Sequence, residues 1–294
     1  MTALAASNPR IRRLRRLSGR RSARHEEGAF VLEGPTLVSE ALSAGVALES
    51  VFVESGASTD VVDAARLAGV AVHEVEPGVI AGITDAVTPR PILATAAIDP
   101  AAPAGVLAEA VERGRPVVLL VEVADPGNLG TILRAADAAG CAGVVCSRGT
   151  VDPWSPKAVR SSAGAILHVP VAVDVDPVGF LSECSSARIP TAATVVDQGA
   201  PLDRTDLSGP SVLVLGSEAH GVPAAVLDQV DLRLTIPMEG RAESLNVAMA
   251  ASVLVFEAMR QRRAAASAGA PTAGARLDDP AAQPIGRLDP PATQ

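Results

Sequence analysis

Branched apolar residues fall in short runs along this chain, separated by polar stretches bearing glycine and proline. Residues 28–35 read as a short strand ending in a turn. Residues 36–44 then read as a helix stopped by Gly45. A strand over 48–53, a helix over 60–67 ending near Gly69, a strand over 70–75 and a further strand around 94–97 complete a small α/β domain. The Ala- and Pro-rich stretch 99–105 reads as a linker, with the boundary near 105. A second α/β pattern starts at Pro116. Residues 117–123 form a strongly apolar run, and a turn over 125–130 opens a helix that ends at Gly140. Runs at 144–146, 166–173, 191–196, 212–215 and 232–236 are candidate strands, with segments such as 177–187 as intervening helices. Runs that are apolar throughout, rather than alternating, predict a parallel sheet covered on both faces. A last helix over 244–263 is apolar nearly all round, which predicts burial in a core or an interface. From 264 to 294 the chain is Ala, Pro, Gly and Asp with little apolar patterning, and reads as a disordered tail.

Charge changes this picture at one end. The net charge of -8 argues against a uniformly basic coat for nucleic acid. Yet eight of the 24 arginines lie between Arg10 and Arg24, among them Arg12, Arg13, Arg15 and Arg16. That segment is a candidate phosphate-binding arm, with a solvated basic helix face or a disordered tail as the alternatives. Aromatic residues make up only 2%, so recognition of bases by stacking platforms is poorly supported. The three cysteines, Cys141, Cys146 and Cys184, lack paired metal spacing and read as buried thiols of a reducing cytoplasm. No run of eighteen apolar residues is present, so a membrane span is not expected.

The chemistry-bearing residues sit in three loops that follow strands of the second pattern. One carries Asn128-Leu129-Gly130 with Arg134. One carries Leu215-Gly216-Ser217-Glu218 with His220 and Gly221. One carries Ile236-Pro237-Met238 and then Ser244-Leu245-Asn246-Val247. Ligands of open α/β sheets bind outside the carboxyl ends of the strands, so the three loops are expected to form one site. No G-x-G-x-x-G follows a strand and there is no P-loop. Gly216-Ser217-Glu218 does not continue into a nucleophile elbow, because Ala219 and His220 stand where the second glycine belongs. A lone histidine in a turn such as His220 is more often structural or solvated than chemical.

Over residues 116–263 the three loops together resemble the SpoU (TrmH-type) family of RNA ribose 2′-O-methyltransferases in the SPOUT superfamily. The N-terminal region, through Phe30-Val31-Leu32-Glu33-Gly34, is similar to the ribosomal-protein-like substrate-binding domain of rRNA-modifying members. The resemblance implies a parallel α/β sheet with a C-terminal trefoil knot. It implies a homodimer, and S-adenosylmethionine held by Leu215, Gly216, Ile236, Met238 and Leu245, with Thr194 or Val195 on the preceding strand. Gly216 would permit close approach of the adenosine. Arg134 is placed at the catalytic centre, with Asn128, Glu218, Ser244 and Asn246 around it. Arginine ionises at about 12.5–13.8, so it is awkward as a general base and easier to defend as an electrostatic grip on a phosphate and a developing alkoxide. Ser244 or Asn246 could also cap the last helix.

These readings divide the chain into a basic arm (1–24), an RNA substrate-binding domain (25–105), a methyltransferase domain (110–263) and a tail (264–294). The expected substrate is ribosomal RNA, most simply 23S rRNA, with Arg10, Arg12, Arg13, Arg15 and Arg16 on its phosphates. A tRNA methyltransferase of the same fold and a non-catalytic RNA-binding protein are the alternatives. The retained polar set of the three loops counts against the second.

Overall fold

A computed structural model describes residues 3–57, 60–85 and 88–269. The arginine-rich segment folds as two helices, α1 (Pro9–Gly19) and α2 (Arg21–Glu27). Asn8 caps α1 by accepting a hydrogen bond from the Arg10 N–H at 2.9 Å. Ile11, Leu14 and Leu17, at helical spacing, are fully buried against Val79, Ile80, Ile83 and Leu93. The segment is therefore an amphipathic part of the small domain, with its arginines, Arg24 apart, turned away from that core. There follow β1 (Ala29–Glu33), α3 (Pro35–Ser43), β2 (Leu48–Glu54), α4 (Asp60–Leu67), β3 (Ala71–Val75) and β4 (Ile92–Ala97). They form a four-stranded mixed sheet in the order β1-β4-β2-β3, with β2 and β3 parallel and β4 antiparallel to both its neighbours.

The larger sheet begins after α5 (Pro103–Arg113), which starts inside the stretch read as a linker. Pro103 stands at the first helical position, where a missing N–H is harmless, and Val106, Leu107 and Ala110 are buried beneath the larger sheet. Then come β5 (Pro116–Leu120), α6 (Pro126–Ala139), β6 (Gly143–Ser147), α7 (Pro156–Ser161), β7 (Val171–Val175), α8 (Pro177–Ser186), β8 (Thr191–Thr194), β9 (Ala200–Pro201), β10 (Ser211–Leu215), α9 (Ala224–Leu227), β11 (Leu232–Thr235) and α10 (Val247–Gly269). The seven strands are all parallel, in the order β7-β6-β5-β10-β8-β11-β9. Residues 166–173, expected as one strand, split into a 3-10 turn at 165–167 and β7. Pro170, between them, cannot donate to a ladder.

Both faces of the central strands are covered, which is why β5 and β10 read as nearly unbroken apolar runs. In β10, Leu213 and Leu215 point into one core and Val212 and Val214 into the other. The first core also takes in β1, β2 and β4 of the small domain, so the two sheets share packing through α6 and α7. A buried ion pair reinforces this junction. Arg24 is 4% exposed and Asp152 3%; Arg24 Nε donates to Asp152 Oδ2 at 2.7 Å and Nη1 to the Leu17 carbonyl at 2.6 Å. The three cysteines are buried and unbridged, and burial pushes each thiol up to about 12. Among the described residues no helix is long and apolar enough to cross a membrane. Residues 264–269, expected in the tail, continue α10, and the remainder of that tail lies outside the described residues.

Removing one partner of a buried pair strands the other charge, which typically costs about 3–5 kcal/mol. Arg24→Ala is therefore expected to lower the free energy of unfolding by that order in urea titrations. A loss indistinguishable from that of an exposed arginine would show that Asp152 is not stranded.

Candidate active site

The carboxyl ends of β5, β10, β8 and β11 lie side by side, and the connections leaving β10, β8 and β11 enclose a cleft of about 550 Å3. After β5 the chain turns into α6. Asp125 caps that helix by accepting from the Asn128 N–H at 2.9 Å, and Lys157 Nζ holds the other carboxylate oxygen at 2.8 Å. Lys157 and the cap keep the Asp125 carboxyl below its ordinary range. After β10 the chain doubles back on itself. Ser217 N–H donates to the Gly221 carbonyl at 3.1 Å and Gly221 N–H to the Ser217 carbonyl at 2.9 Å. Gly221 has φ +67°, a conformation suited to glycine.

This turn explains Gly216 in a way the motif alone did not. A Cβ at Gly216 would run into the backbone of Gly221 and Val222, so the loop's contact with itself already demands glycine. Gly130 has a similar reason: a Cβ there would meet Ser161 Oγ and the Ala158 carbonyl, where α6 crosses α7 closely.

One hydrogen-bonded set ties the loops together. Asn128 Nδ2 donates to Glu218 Oε1 at 2.6 Å, and Asn246 Nδ2 donates to Asn128 Oδ1 at 3.0 Å. Asn246 Oδ1 in turn accepts from the Ala248 N–H at 2.9 Å and the Met249 N–H at 3.4 Å, which caps α10. Helix α10 thus begins at Val247, and Ser244, expected inside it, lies in the loop lining the cleft. Leu215, Gly216, Ile236, Met238 and Leu245 also line the cleft, as do Thr194 and Val195. Thr194 Oγ1 donates to the Val214 carbonyl at 3.2 Å, and Val195 N–H to the Leu234 carbonyl at 2.8 Å, so β8 is locked to both its neighbours at the cleft edge.

Arg134 is not brought to this set. It is exposed on α6, six residues beyond Asn128, which at 100° per residue places it well round the helix from the amide. His220 lines the cleft, and its recorded hydrogen bond is through its backbone N–H to Ser217 Oγ at 3.1 Å. Glu243 lines the cleft and was not singled out from the sequence, because an acid in a polar loop carries no spacing signal.

The candidate RNA-binding arginines lie on α1. Arg13 is engaged by Glu27 Oε2 at 2.6 Å and Glu49 Oε2 at 2.7 Å, and Arg16 by Glu27 Oε1 at 2.9 Å. Arg13 and Arg16 hold the Glu27 carboxyl below its ordinary value. Arg15 bonds the Ala6 carbonyl at 3.1 Å. No ion pair is recorded among the described residues for Arg10, Arg12 or Arg20.

Residues 115–256 match the model of the SpoU rRNA methylase family, and residues 8–94 that of the MRM3-like substrate binding domain. The chain is 33% identical to the 23S rRNA (guanosine(2553)-2′-O)-methyltransferase RlmP of Bacillus subtilis over 86% of this chain and 96% of the relative. It is 29% identical to the human mitochondrial rRNA methyltransferase 3 over 83% of this chain and 70% of the relative. The AdoMet-bound rRNA methyltransferase of Sinorhizobium meliloti superposes with a TM-score of 0.78 at 31% identity, covering 88% of this chain and 97% of that one.

Because the Gly216 site is filled by the loop's own backbone, Gly216→Ala is expected to force the 216–222 turn open and cost about 1–3 kcal/mol, as overpacking does. Thermal unfolding reads the loss; an unchanged melting temperature would mean the turn gives way freely.

Proposed function

The chain belongs to the SpoU rRNA methylase family, and on that premise we propose that the cleft is where a methyl group passes from S-adenosylmethionine to a ribose 2′-hydroxyl of 23S rRNA. The observation that carries this reading is the Asn128–Glu218–Asn246 set beside the cleft, where three loops meet at the ends of parallel strands.

The cleft fits the methyl donor. Its size lies within the usual range for small-molecule sites, roughly 300–1,000 Å3. Leu215, Ile236, Met238 and Leu245 offer apolar surface, and Thr194 and the Gly216 backbone lie at its edge. Glu218 and Glu243 place negative charge where a sulfonium would be favoured. Bound there, S-adenosylmethionine supplies an electrophilic methyl group. The chain's own residues must then present the hydroxyl. Asn128 has both ends of its amide engaged, so its orientation is set before any substrate arrives. Glu218 keeps acceptor capacity toward a hydroxyl, its Oε2 meeting only the Ala124 N–H at 3.5 Å. Ser244 adds a hydroxyl on the facing loop.

Arg134 enters this reading from outside the cleft. Exposed on α6, it can act on a phosphate or an oxyanion that the RNA, or a second copy of the chain, brings to it. A homodimer is part of the reading. Met249, Val253 and Phe256 form a stripe along α10 and are 61%, 41% and 43% exposed. An apolar stripe of this kind suits a second copy of the same helix. The trefoil knot is also part of it. Strand β10 sits between β5 and β8 although it follows both in sequence, and the 236–246 loop and the 216–221 turn line one cleft. The three buried thiols accord with a cytoplasmic setting.

Two measurements test this. Arg134→Ala and Asn246→Ala are each expected to abolish transfer, scored by mapping 2′-O-methyl groups in 23S rRNA, while calorimetry with S-adenosylmethionine shows Arg134→Ala binding the donor normally. Loss of donor affinity in Arg134→Ala would remove it from the transfer step. For the RNA, truncation is unsuitable because it takes Ile11, Leu14 and Leu17 out of the core. Replacing Arg10, Arg12 and Arg20 with Gln is instead expected to weaken RNA binding and flatten its dependence on log salt by about 2, at roughly 0.7 per phosphate contact on a single strand. An unchanged slope would clear Arg10, Arg12 and Arg20 of a role in binding.

A further inference from the structure

A second cleft, of about 540 Å3, lies where the small domain meets the larger one. Val31, Ile83 and Leu93 of the small domain and Val151 and Val159 of the larger give it apolar walls. Its polar lining is unusual in two places. Glu33 ends β1 with a side chain only 9% exposed. Its Oε2 accepts from Thr84 Oγ1 at 2.6 Å and from Arg160 Nη1 at 3.4 Å, while its Oε1, fully buried, has no hydrogen-bond partner among the described residues. Ser155 Oγ, also buried, has none either. A carboxylate oxygen taken out of water without a donor is costly, and native folds leave few such atoms without a purpose. Two of them line the same cleft.

The charges of the lining indicate the rest of the ligand. Arg24 is matched by Asp152, Lys157 by Asp125, and Arg160 by Asp85 at 2.7 Å and by Glu33. Arg15 donates to the Ala6 carbonyl, and among the described residues it has no carboxylate partner. The cleft therefore asks for one negative charge near Arg15, an N–H donor for Glu33, a second polar group for Ser155, and a flat apolar body between. A nucleotide combines these.

We propose that this interdomain cleft binds one nucleotide of the RNA strand, with its phosphate on Arg15 and a base N–H on Glu33 Oε1. This rests on the reading of the chain as an enzyme acting on RNA. The cleft is also wired to the transfer site. Lys157 lines it and grips Asp125, which caps the helix carrying Asn128, and Pro126 of that same turn lines it too. A nucleotide held here sets the register of the strand against the Asn128 loop, and both domains must be docked to hold it.

The test is calorimetric titration of the full chain, saturated with S-adenosylhomocysteine to close the first cleft, using guanosine 5′-monophosphate as probe and inorganic phosphate in parallel. Guanine is chosen because its pairing edge carries adjacent N–H donors. The expected result is one binding site per chain, at least tenfold tighter for the nucleotide than for phosphate. Glu33→Gln and Arg15→Gln should each weaken it at least tenfold, and Ser155→Ala should weaken it measurably, with affinity for S-adenosylhomocysteine unchanged. If Glu33→Gln does not fold, Arg15→Gln and Ser155→Ala decide. Absence of saturable nucleotide binding at millimolar ligand, equal affinity for phosphate, or equal nucleotide affinity in the variants overturns the proposal. A chain that binds the nucleotide but not S-adenosylhomocysteine contradicts the donor reading and leaves this one standing.

Discussion

The amide of Asn128 is the point at which the three connections beside the cleft are joined. Its nitrogen donates to Glu218 and its oxygen accepts from Asn246, residues 90 and 118 positions away in the chain. Each of the three stands on the connection leaving a different parallel strand, Asn128 in the first turn of α6. Polar loops at the end of a sheet have no reason of their own to stay together, because water serves their hydrogen bonds equally well. A side chain satisfied at both ends gives them a shared geometry. Asn246 is fixed a second time, since its oxygen starts α10. The position of that helix and the orientation of the Asn128 amide are thus one constraint. Strand order supplies the rest: β10, arriving late, inserts between β5 and β8 and carries Glu218 within reach of Asn128.

The second constraint joins the domains. Helices α1 and α2 bury one face in the small domain, and α2 sends Arg24 across to Asp152. The same short segment therefore supplies core, clamp and surface charge. Its arginines divide accordingly. Arg24 is buried and paired, Arg13 and Arg16 are tied to Glu27, and Arg10, Arg12 and Arg20 face solvent without a recorded ion pair among the described residues. An excess of one charge type in a sequence is thus a poor count of the charge available to a ligand.

Much of the larger domain was legible because a parallel sheet covered on both faces leaves a strong local mark. The runs 117–120 in β5 and 212–215 in β10 are apolar at every position, since alternate residues enter opposite cores. Asp125-Pro126 marks the start of α6 as a cap followed by a residue suited to the first turn. Other features left weak marks or misleading ones. Helix α5 was hidden in an Ala- and Pro-rich stretch that reads equally as a linker. The first turn expected of α10 is instead loop, because Asn246 rather than Ser244 holds the cap. The junction cleft left no mark, since Glu33 and Ser155 are ordinary residues until a partner is withheld from them.

The sequence by itself determined where most strands and helices form, that the larger sheet is parallel, and which three polar connections follow its strands. Period and turn preference act over a few residues, and they survive in any context. Only the tertiary structure decided that Asn128, Glu218 and Asn246 touch while Arg134 stands apart, and that the arginine segment is folded and partly neutralised. It also decided that Gly216 is required first by the loop's own backbone. Those outcomes depend on which distant groups arrive beside a residue, and nothing in the local chain encodes its neighbours in space.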